Sequence, residues 1–191
     1  MKIDRIAVSS VVSAVLCVVF SNFIVAEESI KSGLQVGELA TPFYVRDCTG
    51  PAAGKTLCYF CRYGRRPVVS IFTREMNDEV IELLKQIDSE VGKHRAQRMA
   101  AFVVLLTDAP FATEKLLKTV AASKQINRVP LTIYRDTSTV LTDVYRISSQ
   151  AETTVMMWRN SKIRINRVFT PDSLDAVGIR QVIKDTTTIL K

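Results

Sequence analysis

Two cysteines separated by two residues, Cys58 and Cys61, are the side chains best suited to chemistry. At this spacing both sulfurs can reach one disulfide or one metal ion. Arg62, Arg65 and Arg66 follow within five positions, and neighbouring cations favour a thiolate over a thiol. The pattern predicts either a reversible redox pair supported by the three arginines or a structural disulfide that fixes a loop.

Other ligands for a metal are scarce. A closed zinc site needs four ligands, commonly a second cysteine pair or paired histidines. The chain adds only Cys48, carboxylates and a single histidine, His94. We therefore expect no metal. The sequence also lacks a phosphate-binding glycine loop and a haem-attachment motif, so we expect no cofactor. In its polar stretch, His94 is predicted to be an exposed loop residue rather than a base.

The first 26 residues have the layout of a secretory signal peptide. Lys2 and Arg5 precede an almost uncharged apolar run, and Ala26 ends it directly before two glutamates. An uncleaved N-terminal anchor is the alternative, because the run is about long enough to span a bilayer. Cys17 lies inside this run, and the bulky Leu16 before it argues against lipidation. Either reading predicts an exported domain, periplasmic or extracellular, where disulfides persist.

Removal of the leader leaves three cysteines, which is an odd number. Cys58 and Cys61 are the natural pair by proximity. Cys48 is then either a free thiol or an alternative partner.

Composition predicts one ordinary globular domain. The chain has 191 residues, of which 47% are hydrophobic and 24% charged. Residues 27–40 read as a polar lead-in and 41–191 as the domain. The net charge is +7, but the basic residues are scattered and aromatic residues are few. A solvated surface is therefore favoured over nucleic-acid binding, and membrane contact is expected only through an uncleaved leader.

Hydrophobic patterning predicts strands that alternate with helices and then a hairpin. Strands are expected at 43–45, 67–73, 100–106, 129–134, 153–158 and 163–169, and an amphipathic linker at 140–147. Helices are expected after Asn77, from Asp108 and Pro110, and from Thr170 and Pro171 to about 189. Their inward faces are predicted to contain Val80, Leu83, Leu84, Ile87 and Val91, then Leu116, Leu117, Val120 and Ala121, and finally Val177, Val182, Ile183 and Ile189. This order is typical of an α/β protein whose central mixed sheet is covered on both faces.

That order, with Val36-Gly37-Glu38 before Pro42-Phe43-Tyr44-Val45-Arg46-Asp47, resembles the redoxin or peroxiredoxin-like branch of the thioredoxin superfamily. Val129-Pro130-Leu131 and the segments at 144–147 and 153–160 are similar to the later half of that branch. The resemblance covers about residues 33–190. It implies a thioredoxin-like three-layer sandwich and a protein thiol or disulfide as partner.

The chain departs from that branch where its chemistry normally resides. The family places its reactive cysteine where the first central strand meets the next helix, and here that junction, Thr73 to Asn77, has no cysteine. The family's cis-proline would precede the strand at 154–158, where Ala151, Glu152 and Thr153 stand instead. Peroxidase activity is therefore not expected. The two hypotheses are a thiol–disulfide redox protein that uses Cys58 and Cys61, and a catalytically inactive binding domain in which this pair is a clip.

Overall fold

The computed structural model of the protein describes residues 30–134 and 143–191. Within these residues the chain forms seven strands and four helices. The strands are β1 (Val45–Asp47), β2 (Thr56–Leu57), β3 (Val68–Thr73), β4 (Ala100–Leu106), β5 (Leu131–Tyr134), β6 (Thr153–Arg159) and β7 (Lys162–Phe169). The helices are α1 (Tyr59–Tyr63), α2 (Asp78–Lys93), α3 (Pro110–Lys124) and α4 (Ala176–Leu190).

The strands form one mixed sheet in the order β2-β1-β5-β4-β3-β6-β7. β3 is an interior strand, because it pairs in parallel with β4 on one side and antiparallel with β6 on the other. Every residue of β3 and β4 is buried, as expected of apolar strands that are covered on both faces. The two predicted buried strands at 67–73 and 100–106 are confirmed.

The two faces of the sheet bury separate apolar cores. One core packs the strands against α2, α3 and α4, and the other packs them against α1, the 34–43 segment, Tyr145 and Ile147. The connections from β3 to β4 and from β4 to β5 cross the sheet in the same direction. Right-handed crossovers therefore put α2 and α3 on the same side. The predicted α/β sandwich with helices on both faces is confirmed, with the three long helices together on one face.

Helix α2 begins as the sequence predicts. The Asn77 side chain accepts a hydrogen bond from the Val80 amide at 3.0 Å, and Asp78 and Glu79 place negative charge in the first turn. The predicted inward residues of this helix are all buried. The helix continues one residue beyond the predicted stop at Gly92 and ends at Lys93.

Two predictions about the other helices were wrong. Helix α4 starts at Ala176 rather than at Pro171, because the Asp175 carboxylate accepts the amides of Val177 and Gly178 and is the better cap. Val177 then lies in the first turn and is 61% exposed. In α3, Leu116 is 48% exposed while its neighbour Leu117 is fully buried, so the inward face is narrower than predicted.

The β6–β7 hairpin is confirmed, and it turns at Asn160 and Ser161 with φ angles of 53° and 63°. The chain before β1 packs against this hairpin. Ser32 Oγ lies 2.7 Å from Thr154 Oγ1, and Leu39 bridges to Lys162. The predicted signal peptide or anchor, and residues 140–142 of the predicted linker, lie outside the described residues. In the described part of the chain, no helix has the length and apolar character needed to cross a bilayer.

The buried carboxylate of Asp88 ties α2 to the segment that leads into β5. It accepts backbone amides from Asn127, Arg128 and Val129. The Arg128 guanidinium adds an ion pair at 2.7 Å. Because Asp88 is only 4% exposed, removing its carboxylate leaves these amides without their acceptor, and an unsatisfied buried polar group is costly.

We expect Asp88→Ala to lower the free energy of unfolding by about 3 kcal/mol, as is typical when one partner of a buried ion pair is removed. Glu82→Ala is the matched control on the same helix, since Glu82 pairs with Lys85 in solvent and should cost less than about 1 kcal/mol. Urea denaturation of the three proteins measures both values. Equal losses for the two variants would contradict the role assigned to Asp88.

Candidate functional site

The paired cysteines open helix α1. Cys58 is the N-cap residue in an extended conformation, and its sulfur accepts the Cys61 amide at 3.0 Å. The two residues form a disulfide, with their Cα atoms 5.3 Å apart. The pairing predicted from proximity is confirmed, and Cys48 is the free thiol among the described cysteines.

The two sulfur-bearing residues differ in exposure. Cys58 is 4% exposed and belongs to the buried interior, whereas Cys61 is exposed. One end of the disulfide therefore faces solvent and the other faces the protein. Cys61 is therefore the accessible residue of the pair and Cys58 the shielded one.

Aromatic packing holds α1 against the sheet. The ring of Tyr59 is stacked on Phe102 of β4, with centroids 5.1 Å apart and an angle of 11° between the rings. Tyr63 contacts the same two rings and donates its hydroxyl hydrogen bond to the Ala101 carbonyl at 3.3 Å. Phe60 lies 6.2 Å from Trp158. These contacts determine which side of the helix, and therefore which cysteine, is turned inward.

A tight turn after β1 closes over Tyr59. The Asp47 carboxylate accepts the amides of Gly50 and Ala52, each at 2.7 Å. A Cβ atom at Gly50 would collide with the Tyr59 hydroxyl and would lie 2.8 Å from both Asp47 oxygens. Glycine is therefore required at this position so that the turn and the tyrosine can pack together.

The three arginines of the motif surround the end of α1. Arg62 and Arg65 are exposed and Arg66 is half-buried. Arg62 is the next residue after Cys61, and Arg65 and Arg66 follow Gly64, which ends the helix. In the part of the chain that the structure describes, none of the three forms an ion pair with a carboxylate.

Cys48 is isolated from the disulfide chemistry. It is 1% exposed, and its sulfur contacts the carbonyl oxygen of Arg46. The pKa of the Cys48 thiol is raised to about 12, mainly by burial and in addition by the negative charges of Glu114 and Asp47. At neutral pH this group is a thiol inside the apolar core.

The junction between β3 and α2, which contains no cysteine, is a polar hydrogen-bonded site. Thr73 at the end of β3 lies opposite Thr153 at the start of β6, with their hydroxyl oxygens 2.9 Å apart. Arg74 donates from Nε to the Ala151 carbonyl at 3.1 Å. Asn77 donates to the Glu152 carboxylate at 3.1 Å. The structure therefore brings 73–77 and 151–153 together, at the end of β3 remote from Arg66.

A cavity of about 530 Å³ opens beside this junction. Its polar lining is mainly acidic and comprises Asn77, Asp78, Glu79, Glu82, Glu152, Asp172 and Asp175. Burial raises the pKa of Glu152, and the nearby carboxylates Glu75, Asp172 and Glu79 raise it further. Among the described residues, no group of three or more His, Cys, Asp or Glu side chains could hold a metal ion.

His94 differs from its prediction as an exposed loop residue. It is the C-cap of α2, half-buried, with its backbone amide bonded to the Glu90 carbonyl at 3.0 Å. Its Nε2 atom lies 3.3 Å from the Glu90 carboxylate. His94 therefore lies in the C-terminal cap of α2, in contact with the preceding turn of the same helix.

Sequence reasoning missed several residues that shape the site. It did not identify Tyr59 as the residue that anchors the helix, or the Asp47 and Gly50 turn as its cover. The spacing of Asp47 and Gly50 is a turn signal, but nothing local indicates that the turn meets Tyr59. It also passed over Arg98 and Arg128, which reach the same surface from the segments that lead into β4 and β5.

Comparison with solved structures identifies the fold. The chain is similar to a peroxidoxin from Mycobacterium tuberculosis, with a TM-score of 0.60 and 13% identity over 82% of this chain and 98% of that one. The thioredoxin domain of a thiol-disulfide oxidoreductase from Bacteroides vulgatus matches with a TM-score of 0.56 and 10% identity, over 78% of this chain and 99% of that one. A Plasmodium vivax 2-Cys peroxiredoxin matches with a TM-score of 0.58 and 12% identity, over 81% of this chain and 83% of that one. The thioredoxin-like fold expected from the sequence is confirmed.

Comparisons by sequence give no match: neither a protein-family model nor a curated protein matches the chain. At identities of 10 to 13%, the structural likeness establishes the fold and leaves the activity to be argued from the site.

We expect Cys48 to resist alkylation in the native protein. With a pKa of about 12, roughly one thiol in ten thousand is ionised at pH 8, and the thiolate is the reactive form. After reduction, iodoacetamide should label Cys61 at least about a thousandfold faster than Cys48. Peptide mass spectrometry of the full chain carrying Cys17→Ser measures both rates.

The pH dependence separates the two thiols further. The rate at which Cys48 is alkylated should keep rising about tenfold per pH unit above pH 9. The alkylation rate of a thiol with the ordinary pKa of about 8.5 levels off once the pH exceeds that pKa. Unfolding in guanidinium chloride is the control and should equalise the rates. Fast native labelling of Cys48 at pH 8 would show that the thiol is neither buried nor raised in pKa.

Proposed function

We propose that this protein catalyses or undergoes thiol–disulfide exchange through Cys58 and Cys61, with a protein thiol or disulfide as its partner. The observation that carries the proposal is the asymmetry of the pair. Cys61 is exposed for attack, and Cys58 is buried at the N-cap with its sulfur accepting the Cys61 amide at 3.0 Å. Exchange requires one accessible sulfur and one leaving sulfur that is stabilised as a thiolate.

The oxidised protein would react by attack of a partner thiolate on Cys61 Sγ. A bond forms between the partner sulfur and Cys61 Sγ. The Cys58–Cys61 bond breaks, and its electron pair goes to Cys58 Sγ. Cys58 leaves as a thiolate that accepts the Cys61 amide. A second thiolate of the partner then attacks the mixed disulfide, so the partner becomes oxidised and Cys61 is released as a thiolate that takes up a proton.

The reverse direction uses the same atoms. The Cys61 thiolate attacks a partner disulfide, and one partner sulfur leaves as a thiolate. Cys58 then loses its proton and attacks the mixed disulfide at Cys61 Sγ. The bond between Cys61 and the partner breaks, the second partner sulfur leaves as a thiolate, and the internal disulfide is restored. Arg62, Arg65 and Arg66 support both directions, because cations close to a sulfur favour its thiolate.

The proposed location is outside the cytoplasm. The first 26 residues support export, with Lys2, Arg5 and the apolar run as a signal peptide. An oxidising compartment keeps an exposed disulfide formed until a reducing partner arrives. An uncleaved leader would add an anchor and would leave the exchange chemistry unchanged.

A second candidate function is a catalytically inactive binding domain in which the disulfide is a clip. The observation that favours it is the packing of Tyr59, Phe60 and Tyr63, all of which contact core aromatic rings. In this case the disulfide would keep α1 in its packed position and would not exchange. The two candidates differ in the reduction potential of the Cys58–Cys61 pair.

The exchange proposal predicts which cysteine forms the mixed disulfide. In a chain carrying Cys17→Ser and Cys48→Ala, the further change Cys58→Ser leaves the exposed Cys61 without its resolving partner. This variant should accumulate a mixed disulfide with a cysteine-containing protein. The Cys61→Ser variant, with only the buried Cys58, should accumulate at least about tenfold less, because exchange depends on access to the sulfur. Non-reducing electrophoresis and mass spectrometry measure both yields.

The reduction potential supplies the independent measurement. For exchange we expect a value near those of known redox pairs, roughly −120 to −270 mV, whereas structural disulfides generally lie below about −300 mV. Equilibration of the full chain with glutathione or dithiothreitol buffers gives the value. A potential below −300 mV together with equal trapping at both cysteines would establish the clip and reject exchange.

A further inference from the structure

Arginines stand before each of the three parallel strands. Arg65 and Arg66 precede β3, Arg98 precedes β4 and Arg128 precedes β5. The starts of parallel strands meet at one end of a sheet, and β5, β4 and β3 are neighbours in this order. Basic residues that are far apart in the sequence are therefore collected at the end of the sheet where α1 and Cys61 lie.

These side chains line two adjoining clefts. The first, of about 460 Å³, is formed by Arg62, Tyr63, Arg65, Arg66, Gln97 and Arg98. The second, of about 320 Å³, shares Arg62, Tyr63 and Arg66 with the first and adds Arg128 from the segment before β5. Cys61 and Arg62 are consecutive residues, so one peptide unit separates the exposed cysteine from the shared wall of the clefts.

The positive charge of this surface is not neutralised within the described residues. Arg62, Arg65, Arg66 and Arg98 form no ion pair there, and Arg128 alone has a carboxylate partner, Asp88. Elsewhere, Arg46, Arg146 and Arg167 are each paired with a carboxylate. Four unpaired guanidinium groups around one pair of clefts repel one another, and an anionic partner would relieve this repulsion.

We propose that this arginine surface (Arg62, Arg65, Arg66, Arg98 and Arg128) binds an acidic polypeptide segment that flanks the reactive cysteine of the partner. The inference rests on the proposed exchange function and specifies the partner for it. Guanidinium groups bind carboxylates through paired hydrogen bonds. An acidic segment seated in the clefts would place an adjacent cysteine beside Cys61.

The surroundings favour a polypeptide over a membrane or a nucleic acid. A membrane-binding face combines basic residues with exposed large apolar residues. Among the described residues, none of the exposed large hydrophobic side chains lines the clefts; they are Val36, Leu39, Tyr44, Phe111, Leu116, Val144 and Val177. Single-stranded nucleic acids stack their bases on free aromatic faces, and the one aromatic residue lining the clefts, Tyr63, packs against Tyr59 and Phe102.

The test of the surface uses the oxidised full chain and a short glutamate-rich peptide that contains serine in place of cysteine. Binding is measured by calorimetry or fluorescence anisotropy at low and high salt. We expect Arg65→Gln with Arg98→Gln to weaken binding about fivefold, since each exposed charge pair contributes modestly. Arg164→Gln with Arg180→Gln removes the same net charge from other exposed positions and should weaken binding less than twofold.

A second arm measures exchange with cysteine-containing peptides of acidic, neutral and basic sequence. The ratio of acidic to neutral rates should exceed about tenfold at low salt, shrink with added salt, and fall in the Arg65→Gln, Arg98→Gln variant. Binding of the serine peptide without any exchange would retain the acidic docking surface and reject the exchange chemistry. Exchange without preference for the acidic peptide, or arginine-dependent binding of anionic vesicles or single-stranded DNA in place of the peptide, would overturn the inference.

Discussion

The stacking of Tyr59 on Phe102 is the contact on which the arrangement of the cysteines depends. Helix α1 has only five residues, and a helix this short is not stable without tertiary packing. Its position therefore comes from burial of Tyr59 against β4, aided by Phe60 and Tyr63. With this side of the helix fixed inward, Cys58 is buried as N-cap and Cys61 faces solvent. The chemistry proposed for the pair follows from aromatic packing on the neighbouring strand.

The sequence is most informative where local pattern and tertiary environment agree. The apolar runs of β3 and β4 have no polar face, so they could only be central strands. The Asn77 cap and the apolar spacing from Val80 to Val91 are local signals, because all of their residues lie within α2 or directly before it. Pro171 led to a wrong prediction of the start of α4, because proline is preferred at the first helical position. The Asp175 carboxylate, four residues later, accepts two backbone amides and caps the helix instead. Local preference ranked the two starts in the wrong order.

The candidate site was predictable only in part, because some of its features are local in the sequence and others depend on contacts between distant segments. The spacing of Cys58 and Cys61 is local, and their pairing could be read directly from it. Which sulfur is exposed depends on Tyr59 meeting Phe102, which is far away in the sequence. Likewise, Arg98 and Arg128 appear as scattered surface residues until the sheet brings the starts of β3, β4 and β5 together. Such contacts between distant segments are set by the order of the strands in the sheet, and the spacing of residues in the sequence does not reveal that order.

The cavities at the two ends of β3 are lined by side chains of opposite charge, and this gives the protein an electrostatic polarity. Arginines collect where β3 begins, and carboxylates line the cavity where it ends, about 20 Å away for a six-residue strand. A molecule with its own charge asymmetry would be turned by this field before contact, acidic side toward Cys61. Such an orienting effect acts on the rate of productive encounter and leaves the lifetime of the complex to short-range contacts. In the proposed exchange, the fold would thus separate the step that orients the partner from the step in which the disulfide bond is exchanged.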